Sequence, residues 1–205
     1  MKKNKISKNW LNKQKKDIYF KESRAQGYRS RSAFKLIEMN NKFNFLNRKM
    51  LLLDLGSSPG GWSQVASKIL TNGKILAVDI KSMDKIDGVE FIMGDFCKIE
   101  IYEKIVNYFN DKVNVILSDM AANTSGNRDL DSYRTGELCL NAMKLSRKIL
   151  EKDGIFLSKI FMGTIFKEIN ETANKYFKNV VKFKPLSSKK ESKEIYIFCR
   201  GIKEI

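Results

Sequence analysis

Histidine is absent from the 205 residues. That excludes catalysis and metal sites built on imidazole, so any proton transfer rests on Lys, Asp, Glu, Tyr or Cys. Cysteine is scarce: Cys97, Cys139 and Cys199 lie far apart with no C-x-x-C pair. This argues against zinc and reads as core thiols in a reducing compartment. No apolar run approaches the ~18 residues of a membrane span. The N-terminus, MKKNKISKNW, has no hydrophobic signal region. No metal and no membrane are therefore expected. The glycine-rich turn, DLGSSPGGWSQ, lacks the G-x-G-x-x-G spacing of dinucleotide sites and the lysine of a P-loop.

What is abundant is positive charge. Lys and Arg number 39 against 23 Asp and Glu, a formal net charge of +16. Such a surface attracts polyanions, nucleic acid above all, although a lysine-rich composition also serves solubility alone. With 42% hydrophobic residues the length suits one domain with an ordinary core. Residues 1–30 read as a basic arm, irregular or helical, with Trp10, Leu11, Ile18, Tyr19 and Phe20 among the cations. Aromatics so placed can stack on bases while the charges hold phosphates, or they can dock a solvated tail. Residues 31–205 read as a single domain.

The domain is organised around Met50–Gln64. An apolar strand (50–53) is closed by Asp54, a turn of small residues follows, and a helix begins near Trp62. Glycines there let a ligand approach the backbone, and the helix start offers free N–H groups. Further strands are expected at 74–80, 89–93, 113–117, 155–160, 180–184 and 194–199. Helices are expected at 33–40, 99–109, 130–150 and 164–176, with Glu151 to Gly154 as a turn. Phe34 and Ile37 define the buried stripe of the first helix, leaving Lys35 off it. The alternation predicts an α/β fold, a mostly parallel seven-stranded sheet with helices on both faces, closed by a hairpin-like antiparallel edge. Ligands in such sheets bind beyond the carboxyl ends of the strands. Asp54, Asp79, Asp95, Asp119 and Lys159 all fall there. A strand-closing Asp is also a common turn former, and a terminal Lys commonly snorkels, so their force lies in their number.

Taken in order, RSRSAFKL, DLGSSPGGWSQ, VDI, GDF, SDMA, FLSKIF and SKEIYI resemble the FtsJ/RrmJ (RlmE) family of ribosomal RNA ribose 2′-O-methyltransferases. The resemblance runs from about Trp10 to Arg200. It implies a Rossmann-like fold that binds S-adenosylmethionine and a Lys-Asp-Lys-Glu tetrad. By local motif the tetrad falls on Lys35, Asp119, Lys159 and Glu194. The cofactor residues fall on Gly60, Trp62, Asp79 and Asp95, with Asp119 bordering them. Trp62 can equally be a core aromatic at the helix start. The family usually has proline where this chain has Ala122, so a backbone restraint at the rim of the site is lost.

The resemblance implies transfer of a methyl group to a ribose 2′-hydroxyl, most closely that of a uridine in large-subunit ribosomal RNA. A related branch acts on tRNA, but its loop reads DGAPD rather than SDMA. A nicotinamide oxidoreductase and a non-catalytic RNA-binding ribosome-assembly factor are the other classes to weigh. The missing dinucleotide motif opposes the first, and the intact tetrad opposes the second. Arg24, Arg29, Arg31, Lys189, Lys190 and Lys193 would hold RNA around the site. The protein is expected to act as a monomer. The resemblance begins near residue 10, which points to the cytoplasm, or to an organelle if a targeting segment is missing from this chain.

Overall fold

The computed structural model describes residues 17–110, 112–122 and 125–204, apart from the side chain of Arg128. Trp10 and Leu11 lie outside the described residues. Helix α1 (Ile18–Ala25) and helix α2 (Ser32–Phe43) precede the first strand, β1 (Leu51–Leu55). Helix α3 (Gly61–Ile69), strand β2 (Lys74–Asp79), strand β3 (Glu90–Met93) and helix α4 (Ile99–Phe109) follow. Strand β4 (Val113–Ser118) leads to the long helix α5 (Arg128–Ile149) and strand β5 (Leu150–Phe161). Helix α6 (Phe166–Tyr176), strand β6 (Phe177–Phe183) and strand β7 (Glu194–Ile202) complete the chain.

The strands form one seven-stranded sheet in the order β3-β2-β1-β4-β5-β7-β6. The first five are parallel, and β7 runs antiparallel between β5 and β6. The antiparallel strand therefore sits one place in from the edge, and β6 is the edge strand. The direction of β7 has a chemical consequence: its first residue, Glu194, pairs with Phe161 at the carboxyl end of β5. Residues 151–154, expected as a turn, fall within β5 and form the irregularity at which its register with β4 shifts, from Val113 opposite Leu150 to Val115 opposite Ile155.

Strand periodicity assigns residues to faces. Leu52, Ile75, Val115, Leu117, Ile155, Leu157 and Tyr196 pack against α2 and α3 through Ala33, Leu36, Trp62 and Val65. Leu53, Leu55, Leu76, Ile116, Phe156 and Ile197 pack against α4, α5 and α6 through Ile105, Met143 and Ile169. By the same parity Asp54, Lys159 and Glu194 belong to the α2–α3 face.

Helix α2 is turned relative to expectation. Its buried stripe is Ala33, Leu36 and Met39, and Phe34 is only partly buried. Phe34 instead meets Tyr19 and Tyr28, with ring centroids 5.7 and 5.9 Å away. The rotation brings Lys35 to the sheet. Those contacts also attach the described part of the basic arm to the domain: Asp17 caps α1, and Ser23 is buried.

Candidate active site

The turn after β1 is stitched to the end of β2. Gly56 and Ser57 donate their N–H groups to Val78 O, and Asp119 N donates to Leu55 O. Gly56 has a φ of +74°, and a Cβ there would lie 2.4 Å from Met120 Cγ. Only glycine fits. The arrangement leaves a cavity of about 350 Å³ bordered by Gly56, Ser58, Asp79, Asp95, Phe96 and Asp119. It lies beyond the carboxyl ends of β1, β2 and β4, where β1 separates strands running outward in opposite order. Asp79 is held rigidly: Oδ2 accepts from Ser58 N at 2.9 Å and Oδ1 from Lys81 N at 2.8 Å. Asp95 Oδ1 accepts from Cys97 N at 3.0 Å.

A smaller cavity shares Gly56, Ser58 and Asp119 with the first and reaches Asp54, Ser57 and Trp62. Asp54 is fully buried. Its Oδ2 accepts from Ser63 Oγ at 2.6 Å, whereas its Oδ1 and the Ser57 hydroxyl have no partner. Burial, opposed by the Ser63 hydrogen bond and reinforced by Asp119 and Asp79, pushes Asp54 up to about 7. Unpaired buried polar atoms beside strand-end carboxylates suit a ligand with a cationic or N–H-bearing end.

The four tetrad residues meet as two ion pairs. Lys159 Nζ lies 3.1 Å from Asp119 Oδ1 and donates to Asp119 O at 2.6 Å. Lys35 Nζ lies 2.6 Å from Glu194 Oε1. Tyr196, two residues after Glu194 and on the same face of β7, donates its hydroxyl to Asp119 Oδ1 at 2.9 Å. Lys35 Nζ stands 5.7 Å from the centre of the Tyr196 ring, so this tyrosine touches both pairs. Burial raises Asp119, but Lys159, Lys35 and the hydrogen bonds from Lys159 and Tyr196 outweigh it and bring its carboxyl below the usual range. Burial and the charges of Asp119 and Glu194 push the Tyr196 phenol well above its ordinary value, so it stays a donor.

The loop before β7 braces this group. Glu38 of α2 accepts from Leu186 N at 2.6 Å and Ser187 N at 2.9 Å. Buried Ser188 then donates to Glu194 Oε1 at 2.9 Å. Tyr196 was within reach of sequence reasoning, because strand parity puts it beside Glu194. Glu38 was not, because its bond to Leu186 N spans 148 residues, and Ser188 was not, because no local pattern marks a loop serine as a partner of Glu194.

Other expected site residues behave differently. Gly60 (φ +111°) borders neither cavity, and a Cβ there would meet Ile86 Cδ1 at 2.6 Å and Met83 Sδ at 3.1 Å. Packing within the protein requires this glycine. Trp62 is buried in the α2–α3 core and donates its indole N–H to Ser32 O at 2.8 Å, while edging the smaller cavity. Arg29 and Arg31 are committed internally. Arg29 donates to the carbonyls of Pro59, Asp84 and Lys85. Arg31 pairs with Asp17 and donates to Ser187 O. Guanidiniums so occupied are structural clasps with few donors left for phosphate. Arg24, stacked on Phe20, and exposed Lys189 and Lys190 have no such ties among the described contacts. At Ala122 the backbone N–H donates to Thr135 Oγ1 at 3.1 Å, a bond proline could not make. That bond restrains the loop in another way.

Among the described residues no cluster of acidic or sulfur ligands could hold a metal, and no helix is long and apolar enough to cross a membrane. Residues 28–202 match the model of the FtsJ-like methyltransferase family. The chain is 50% identical over 200 residues to a protein of Pelagibacter ubique named ribosomal RNA large subunit methyltransferase E, covering 98% of each. A protein of the same name from Rickettsia conorii is 40% identical over 197 residues, covering 93% of this chain and 87% of that one. The crystal structure of a ribosomal RNA methyltransferase, so described, from Plasmodium falciparum superposes with a TM-score of 0.77. It is 33% identical and covers 85% of this chain and 98% of that one. A fibrillarin from Methanococcus jannaschii, 18% identical with a TM-score of 0.55, shares the fold.

Proposed function

The chain belongs to the FtsJ-like methyltransferase family, and from that premise we propose that it methylates a ribose 2′-hydroxyl of large-subunit ribosomal RNA, using S-adenosylmethionine. The acceptor is a uridine, as the family resemblance implies, and the protein works as a monomer in the cytoplasm, where ribosomal subunits are built. Its single domain spans residues 31–205, preceded by the basic arm. The observation that carries the reading is the pair of ion pairs, Lys159–Asp119 and Lys35–Glu194, beside the cavity ringed by strand-end carboxylates.

The residues fit the cofactor. Asp79 would accept its ribose hydroxyls, and Asp95 its adenine amino group, with Phe96 against the ring. Trp62 and Gly60 shape the turn at the methionine end from behind. The unpaired Asp54 Oδ1 and Ser57 Oγ offer polar partners there.

S-adenosylmethionine supplies a methyl group already activated on a sulfonium. The protein must align the ribose oxygen and take or share its proton. Lys159 is the group for that task, as a neutral amine whose lone pair takes the proton or as an ammonium that steers the hydroxyl lone pair toward the methyl group. Asp119 holds its Nζ through both the carbonyl and the carboxylate, leaving the rest of the amine to meet the 2′-hydroxyl. Asp119 itself, lowered by two lysines, is too weak a base and serves as the anchor. Lys35 and Glu194 position the ribose, and Tyr196 holds the two pairs in register. Mapping 2′-O-methyl sites in ribosomal RNA with and without the protein tests the reading. A Lys159→Ala protein should bind the cofactor while losing about 10²–10⁴-fold in transfer rate, the usual worth of a positioned acid or base. Wild-type turnover by that variant would refute the role.

A further inference from the structure

A second cavity, also about 350 Å³, opens beyond the carboxyl ends of β4 and β5. Its walls include Asp129 and Ser132 of α5, Phe161 and Met162 at the end of β5, and Glu191 of the brace loop. Ala121 borders both this cavity and the cofactor cavity. Ala121 follows Asp119 by two residues, and Phe161 follows Lys159 by two. The second chamber is thus lined by the residues two places beyond the Asp119–Lys159 pair, while Asp119 itself borders the first.

We propose that this second chamber receives the base of the nucleotide being methylated, with the N–H edge of the base at Asp129 and Glu191. The inference rests on the RNA 2′-O-methyl transfer proposed above. Its first support is reach. The base hangs from C1′, the carbon next to C2′, so a 2′-oxygen at Lys159 brings its own base within one sugar of that position. The two cavities that Asp119 borders are taken up by the donor and the turn behind it, and this chamber is the one that adjoins them through Ala121.

The second support is chemistry. In a chain of net charge +16 this wall carries three carboxylates, Asp129, Asp131 and Glu191, against one cation, Lys193, a local excess that disfavours phosphate and accepts hydrogen bonds from N–H groups. Unstacked RNA bases are read this way, by stacking on soft side chains and by hydrogen bonds along their edges. Met162, half exposed at 52%, offers such a side chain beside Phe161.

The third support is an unpaired group. Thr135 Oγ1 accepts from Ala122 N and donates to Asp131 O, and Asp131 accepts from Ser125. Ser132, between them in sequence, is buried, and its Oγ has no partner. A hydroxyl that lines a cavity without a bond is available to a ligand.

The test compares the wild-type protein with Ala122→Phe, Asp129→Lys and Ser132→Ala. Methyl transfer is measured on large ribosomal subunits lacking the modification, with S-adenosylmethionine affinity by calorimetry and thermal unfolding as controls. Ala122→Phe fills the cavity yet keeps its backbone N–H for Thr135. Ala122→Phe and Asp129→Lys should each lower kcat/KM for RNA about tenfold or more, with cofactor affinity within about twofold of wild type. Ser132→Ala loses no internal bond, so it should fold normally and raise KM about threefold. It keeps the inference testable if the phenylalanine variant fails to fold. Unchanged kinetics in Ser132→Ala together with either other variant would overturn the proposal. So would tighter RNA binding with full turnover in Asp129→Lys, which would assign the cavity to a phosphate, or a loss confined to cofactor affinity. A wild-type protein that transfers no methyl group would sink the functional reading and this inference with it.

Discussion

Asp54 provides the sharpest quantitative test. Its carboxyl is fully buried on the sheet face covered by α3, with one oxygen bonded to Ser63 and the other unpaired. Burial, less the Ser63 hydrogen bond and with Asp119 and Asp79 adding to it, raises its pKa from 3.8 to about 7. The folded protein therefore holds a proton that the unfolded chain gives up. Stability from this group is fully present below pH 3.8 and is lost as pH rises through about 7. A gap of about three units, at about 1.4 kcal/mol per unit, puts the loss on the order of 4 kcal/mol between pH 4 and pH 8. Asp54→Asn removes the titration while keeping a carbonyl oxygen for Ser63. Its amide nitrogen gains no acceptor, at a cost of about 1–3 kcal/mol. That cost is the same at every pH, so the slope is diagnostic and the absolute stability is not. Urea unfolding of both cofactor-free proteins should show the wild type falling relative to the variant across this range, by at most about 1.4 kcal/mol per pH unit. Other titrating groups cancel in the difference to first order. Parallel curves, within about 1 kcal/mol across the whole range, would refute the raised carboxyl.

Other expectations follow from the site. Asp79→Ala should weaken S-adenosylmethionine binding about 10- to 100-fold by calorimetry, since charge-assisted hydrogen bonds to two hydroxyls are lost. Ser188→Ala frees Glu194 Oε1 of its serine and should lower kcat several-fold with cofactor affinity intact, measured by single-turnover methylation at saturating cofactor. Arg31→Ala leaves Asp17 and Ser187 O without their partner and should cost about 2–3 kcal/mol in urea unfolding. Lys189→Ala with Lys190→Ala should leave unfolding unchanged and reduce the salt slope of RNA binding by about two, if each lysine holds one phosphate.

Several of these expectations depend on contacts that the chain does not announce. The acids closing β2 and β4 were legible, because a strand-end carboxylate beside a glycine turn is a local pattern. Motif resemblance named the four tetrad positions, and the family match bears out the methyltransferase reading. Lys35 nonetheless looked like a surface residue. Its helix is rotated by Phe34 docking on Tyr19 and Tyr28, contacts that run between α2 and segments on its amino-terminal side. Arg29 and Arg31 looked like phosphate ligands, because charge is visible in a sequence and the carbonyls that absorb it are not.

By itself the sequence determined the strands and their faces, since alternation along a strand is a property of neighbouring residues. Through the motif resemblance it also named the candidates for the reacting groups. The tertiary structure alone decided that β7 enters antiparallel between β5 and β6, which sets Glu194 at the ligand edge beside Lys35. It alone decided the clasp of Glu38 on a loop 148 residues away, and the two chambers that meet at Ala121. Strand order and loop docking are fixed by pairings between distant segments. Those pairings are chosen by the burial of the whole sheet, and no local window of the chain contains them.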